Sequence, residues 1–138
     1  MSDAVLEKCV IVVSDELPPG RAANAAAVVA LTLGGLHPRL LGRAAADADG
    51  DVHPGLIPQG LPILRAPGRK LAEARNRAQR AGLGVIDFPA AGQETNDYDD
   101  YIRRVGQTPG SDLRYCAVAI YGPRREVADV TGRFSLLR

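Results

Sequence analysis

Two apolar runs constrain this chain more than anything else in it: Cys9–Val13 (CVIVV) and Tyr115–Tyr121 (YCAVAIY), neither of which contains a charged residue. A strand turns alternate side chains to opposite faces, so a run without a polar set has no face for water and must be covered on both. The sequence supplies the covers. Helical spacing or helix-end signals mark Pro19–Leu33, Arg69–Ala81, Asp97–Val105 and Arg124–Val130, and shorter strand candidates lie at Leu61–Arg65 and Val85–Phe88. Strands and helices therefore alternate. That order predicts an α/β fold, a three-layer α/β/α sandwich with a mixed sheet of about four principal strands. Pro62 places Leu61–Arg65 at an edge or a strand start.

The first helix opens at Pro18-Pro19, where a fixed φ suits an N-terminus, and Gly34-Gly35 is the expected stop. Its composition is unusual: from Ala22 to Leu36 it carries no charge, and Asn24 and Thr32 are its only polar side chains. A helix on a sheet buries one stripe and normally offers water a charged one. Here no such stripe exists, which predicts a second cover and a buried Asn24 in need of a partner. Left bare, the outer side would form an apolar patch on the order of several hundred Å², near the limit for a soluble monomer. A homodimer through the Ala22–Leu36 helix is the expected cover; the Pro38–Pro67 segment or the Tyr98–Tyr101 region of the same chain is the competing one.

With 138 residues, 46% of them hydrophobic, one α/β domain over 1–138 is expected to bury a core without staples. Two cysteines, Cys9 and Cys116, build no disulfide framework, and the opening MSDAVLEKC lacks the basic stretch of a secretory leader, so the expected compartment is the cytoplasm. No apolar stretch is long enough to span a membrane. A net charge of +1 gives no global field for nucleic acid. Locally, Arg65, Arg69, Lys70, Arg75, Arg77 and Arg80 make a basic face and Glu94, Asp97, Asp99 and Asp100 an acidic one, both read as solvated surface. With 4% aromatic residues a base-stacking platform is not expected. Phosphate loops, dinucleotide fingerprints, Cys-x-x-Cys pairs and nucleophile elbows are all missing, and no cofactor is expected.

Candidate chemistry gathers where the first strand ends. Ser14, Asp15 and Glu16 lead into the helix through Pro18-Pro19-Gly20, and α/β proteins place ligands at such strand ends, where helix N-H groups favour an anion. Ser14, Glu16, Gly20, Arg21 and Asn24 are the candidate ligand-binding residues. Asp15 is a candidate general base, and His53 is the better placed of two histidines for acid-base work; His37, beside Pro38, is expected to cap the helix. Asp47-Ala-Asp49-Gly-Asp51-Val-His53 has the chemistry of a hard-cation site, but its glycine is misplaced and Pro58 stands where the last glutamate belongs, so a polar turn at Asp49-Gly50 is expected instead of a metal.

Three collinear pieces resemble a known family. KCVIVVSDELPPGRAANAAAV is similar to the opening strand, turn and Ala-rich helix of the archaeal and eukaryotic (type II) peptidyl-tRNA hydrolases. AGLGVIDFPAAG resembles their later strand and Asp-Ala-Gly turn, and AIYGPRREVADVTGRFSLL their closing strand, Gly-Pro turn and Val-Thr-Gly ending. The whole chain resembles still more a bacterial family of that fold, number two thousand among the domains of unknown function. The resemblance implies the hydrolase fold. It does not carry the hydrolase's machinery: the lysine position falls on Gly20 beside Arg21, the acid on Ala90 and the helical histidine on Ala27. Arginine is no base at neutral pH. Two readings follow: a hydrolase-like protein acting on a small anionic ligand with Asp15 or His53, or a non-catalytic homo-oligomeric module that binds one.

Overall fold

The computed structural model describes residues 6–138. The two apolar runs become β1 (Lys8–Ser14) and β6 (Tyr115–Gly122), which pair antiparallel at the centre of the sheet with Ile11 opposite Ala119 and Val12 opposite Val118. On its other side β1 runs parallel to β4 (Ile63–Ala66), a pairing that needs a crossover, and α1 (Pro19–Leu36) lies on that path. Antiparallel β5 (Gly84–Pro89) joins β6 and antiparallel β7 (Ser135–Leu136) joins β4, giving a five-stranded mixed sheet ordered β5-β6-β1-β4-β7. The four strands expected are present; the fifth, β7, is an addition that lies outside β4, so of the two positions Pro62 allows the structure takes the strand start, Pro62 directly preceding β4, and not the sheet edge. A very short strand at one edge and Pro89 ending the other limit further pairing.

Period-two alternation divides the centre between two layers. Val10, Val12, Val118 and Ile120 meet Leu71, Ala74 and Ala78 of α2 (Gly68–Arg80) and Val127 of α4 (Arg124–Thr131) on one face. Ile11, Val13, Ala117 and Ala119 meet Ala22, Ala25 and Val29 of α1 on the other. Alanine on both sides of that second contact lets the helix backbone lie close to the sheet. A third cluster of Leu6, Cys9, Leu33, Leu40 and Tyr121 is centred on the other end of α1. Helix α3 (Tyr98–Gly106) follows β5, its first turn capped by the Asp97 side chain, which accepts from the N–H groups of Asp99 and Asp100. No described helix is long and apolar enough to cross a membrane.

Two expectations about α1 need correction. The helix does not stop at Gly34-Gly35: neither glycine adopts a positive φ, so both continue the helix to Leu36, and the chain turns at His37, which Pro38 disfavours from helical geometry. Asn24 is not buried. It lies on the outer side of α1 with Arg21, Val28 and Leu31, while Ala22, Ala25, Val29 and Leu33 face inward. The Tyr98–Tyr101 region flanks Asn24, Val28 and Thr32 across a groove and leaves the rest of that side bare, with Leu31 79% and Leu36 60% exposed.

Between α1 and β4 the chain forms a two-stranded ribbon, β2 (Ala45–Ala46) against β3 (Val52–His53), turning at Gly50 with a φ of 88°. Every residue from 43 to 54 is exposed. At its base Gly42 N–H donates to the Leu56 carbonyl at 2.8 Å, and Gly55 approaches the Gly42 backbone so closely that a Cβ there would collide with its carbonyl.

Candidate functional site

The parallel pair β1 and β4 ends on one side of the sheet, with Ser14 aligned to Ala66. Beyond those ends the chain leaves toward α1 and α2, opening a crevice of the kind in which α/β sheets bind ligands. Because β6 is antiparallel to β1, its first residues reach the same side. The result is a cleft of about 520 Å³ with Ser14 and Glu16 after β1, Gly68 and Arg69 at the start of α2, Glu94 after β5, and Arg114 and Cys116 at the start of β6 among its lining.

Its charges are mixed. Ser14 is 6% exposed and its Oγ accepts the Glu16 N–H at 3.3 Å. Glu16 lies beside the first residue of α2, its Oε1 3.5 Å from where a Gly68 Cβ would stand, so an acid of the chain already sits near the positive end of that helix. Glu94 pairs with Arg104 at 3.7 Å. The guanidinium groups of Arg69 and Arg114 have no hydrogen-bond or ion-pair partner among the described residues. The Cys116 thiol is 3% exposed and pushed up to about 11, mainly by burial and further by the Glu94 charge, with Arg21 acting in the opposite sense. It stays protonated at neutral pH and is no nucleophile.

The residues singled out from sequence do not come together in one place. Ser14 and Glu16 line the cleft. Asp15 is exposed and does not, its N–H donating to the Ala66 carbonyl at 2.9 Å. Gly20 and Arg21 are exposed in the first turn of α1, and the Arg21 carbonyl accepts from Gln93 Nε2 at 2.9 Å. The same Nε2 donates to Asn24 Oδ1 at 3.1 Å, while the buried Gln93 Oε1 has no partner among the described residues. Asn24 lines a second groove, of about 480 Å³, with Thr32, Phe88 and Tyr98 between α1 and the β5–α3 connection. His53 stands on the β2–β3 ribbon, its Nε2 2.9 Å from Asp47 Oδ2, and does not line the cleft. That bond, ahead of the Asp51 N–H, holds the Asp47 carboxyl below the usual range. Asp47 Oδ1 accepts from the Asp49 and Asp51 N–H groups, so its carboxylate fastens the turn. No cluster of three His, Cys, Asp or Glu side chains able to hold a metal occurs among the described residues.

Arg69, Glu94, Arg114 and Cys116 do not stand out as a site in the sequence, where Arg69 belongs to the basic face, Glu94 to the acidic patch, Cys116 to an apolar strand run, and Arg114 to no pattern at all. The usable signal was topological: the residue after each parallel strand and before each antiparallel neighbour meets at one edge of the sheet.

Comparison with known proteins bears on the fold and the family. A solved structure of a protein of unknown function from Agrobacterium tumefaciens strain C58 superimposes with a TM-score of 0.87 over 95% of this chain and 97% of that one, at 14% identity, a likeness of fold alone. No curated protein matches the chain. The family model described as protein of unknown function DUF2000 matches residues 7–138. With that span matched, the chain belongs to the DUF2000 family.

Proposed function

We propose that this protein binds a small anionic ligand, a carboxylate or phosphate, in the cleft at the ends of β1 and β4, on a fold of the type II peptidyl-tRNA hydrolase kind. One observation carries the reading: two arginines without partners, Arg69 and Arg114, line a cleft of about 520 Å³ in which Ser14 is buried. A planar guanidinium matches an oxyanion in two-pronged fashion, and two of them select for negative charge. Binding is favoured over hydrolysis. Asp15 and His53 do not share the cleft, the Cys116 thiol is protonated, and Ala90, where the hydrolase resemblance would place an acid, lines the cleft with a methyl group. Two free, buried thiols suit a reducing compartment, in keeping with a cytoplasmic protein. The outer face of α1, uncharged from Ala22 to Leu36, supports a two-fold homodimer as the working unit.

The test is calorimetry with inorganic phosphate and with citrate against the native chain and Arg69→Ala and Arg114→Ala. A hydrogen bond to a charged group contributes about 1.5–3 kcal/mol, so each substitution should weaken binding roughly 10- to 100-fold. An unchanged affinity in both variants, or no binding of either anion at millimolar concentration, would refute the reading.

A further inference from the structure

We propose that the β2–β3 ribbon is an intermolecular arm that docks on the α1 helix of a second copy of this chain, its acidic tip meeting that helix's N-terminus. The inference rests on the dimer reading above and specifies its contacts. Residues 43–54 are exposed without exception. A two-stranded ribbon with no cover is marginal in water, since it pairs few backbone groups and buries almost no apolar surface. Yet this one is fixed at both ends, by Asp47 across the turn and by the close Gly42–Gly55 approach at the base. It also displays apolar side chains, with Val52 70% and Leu56 79% exposed and Leu41 exposed beside them. A fastened ribbon with uncovered apolar residues has the form of an element completed by a partner.

The α1 face has the complementary deficits. It displays Val28, Leu31 and Leu36 without a charge between Ala22 and the helix end. Area shows why the helix alone is not enough. Its 18 residues span about 27 Å, and a strip about 10 Å across covers on the order of 300 Å², whereas a stable dimer buries roughly 800 Å² per partner. A comparable strip of ribbon on each partner's helix brings the contact toward that size. Charge sets the pairing. The first turn of α1 has no acidic residue and no side-chain cap, and Arg21 is exposed there. Asp47, Asp49 and Asp51 crowd the ribbon tip, and neither the Asp49 nor the Asp51 carboxylate has a hydrogen-bond or ion-pair partner among the described residues. The ribbon leaves just after the C-terminal end of α1, through Pro38–Leu40. Antiparallel α1 helices across a two-fold axis bring that end beside the partner's N-terminus, so each ribbon starts next to the charge it complements.

Charge exchange in the full chain tests this. Asp49→Arg and Arg21→Glu alter exposed side chains that make no hydrogen bond or ion pair among the described residues, so both variants should fold, which circular dichroism verifies. Sedimentation across micromolar concentrations should show each single variant dimerising about 5- to 30-fold more weakly, as expected when a helix-end and ion-pair attraction becomes a repulsion, with the double variant returning toward the native value. An Asp49→Cys chain mixed with an Arg21→Cys chain should form a disulfide-linked species of about twice the 14.6 kDa mass. A native dimer indifferent to both charge variants and giving no mixed disulfide overturns the arm while leaving the α1 dimer standing. A monomeric native chain overturns both.

Discussion

Iodoacetamide offered to the native protein at pH 8 should leave Cys116 almost untouched. Only the thiolate reacts, and the thiol in the cleft wall is raised from an ordinary 9.0 to about 11. That rise lowers the thiolate population about 100-fold at any pH well below 9, and by less as the pH approaches 11. The 3% exposure slows attack further, so labelling should be more than 100-fold slower than in the urea-unfolded chain. Burial is the largest cause and the Glu94 charge the second, so Glu94→Gln should move the apparent value down part of the way and leave most of the shift in place. Arg21→Ala should move it up, because Arg21 favours the thiolate. Linkage has a definite sign here. The folded state holds the proton more tightly than the unfolded state, so this contribution to stability is complete below pH 9 and is lost as pH rises toward about 11. Peptide mapping after timed alkylation from pH 7 to 10.5 reads the site directly. Labelling at the unfolded rate at pH 8, or an apparent pKa in the folded protein at the ordinary 9.0, would refute the account of a desolvated thiol.

Leu71→Ala should cost about 2–5 kcal/mol in urea denaturation, because the side chain is fully buried between α2 and the sheet; a loss under about 1 kcal/mol would mean that the α2 layer is loosely packed. Asp97→Ala should cost about 1 kcal/mol by freeing the Asp99 and Asp100 N–H groups, and a neutral result would show that the α3 cap is replaced by water at no loss. Model peptidyl-tRNA should turn over far below about one per second, since general acid-base groups contribute roughly 10²- to 10⁴-fold and the positions in question hold Gly20, Ala27 and Ala90; faster turnover would place a catalytic group outside the cleft.

The central strands were legible because their chemistry admits one environment. Cys9–Val13 and Tyr115–Tyr121 have no polar alternate, so burial on both faces, and with it the three layers, follows from the residues themselves. Ser135-Leu136 has no such pattern: two residues cannot show a period, and β7 exists only because β4 offers an unpaired edge. The run through Gly34-Gly35 was misread for a related reason. Glycine marks a helix end when the chain needs a positive φ, and here Leu33 is held in a core cluster at the same turn, so packing carries the helix on to Leu36. Asn24 failed on phase. Where nearly every residue is apolar, the hydrophobic period gives no direction, and the sheet alone decides that Ala22, Ala25 and Val29 turn inward.

The cleft was half legible, and the division follows from how it is built. Ser14 and Glu16 stand directly after a central strand that leads into a helix, a local signal for a ligand crevice. Arg69 and Arg114 come to the same place from distant parts of the chain, one because β4 runs parallel to β1 and the other because β6 runs antiparallel to it. Val13 pairs with Ala117, which brings Arg114 and Cys116 to the Ser14 end of the sheet. Register of this kind leaves no local motif. It also explains why a basic run in sequence need not act as one surface: of the charges between Arg65 and Arg80, Arg75 is held by Asp87 at 3.0 Å against the sheet edge, Lys70 faces Glu73 at 3.5 Å, and Arg69 alone turns into the cleft with Arg114. On the anion-binding reading proposed above, a small oxyanion is the expected ligand and not a polyanion, because Arg69 and Arg114 line the cleft while Arg77 and Arg80 line a different depression beside Glu126 and Asp129.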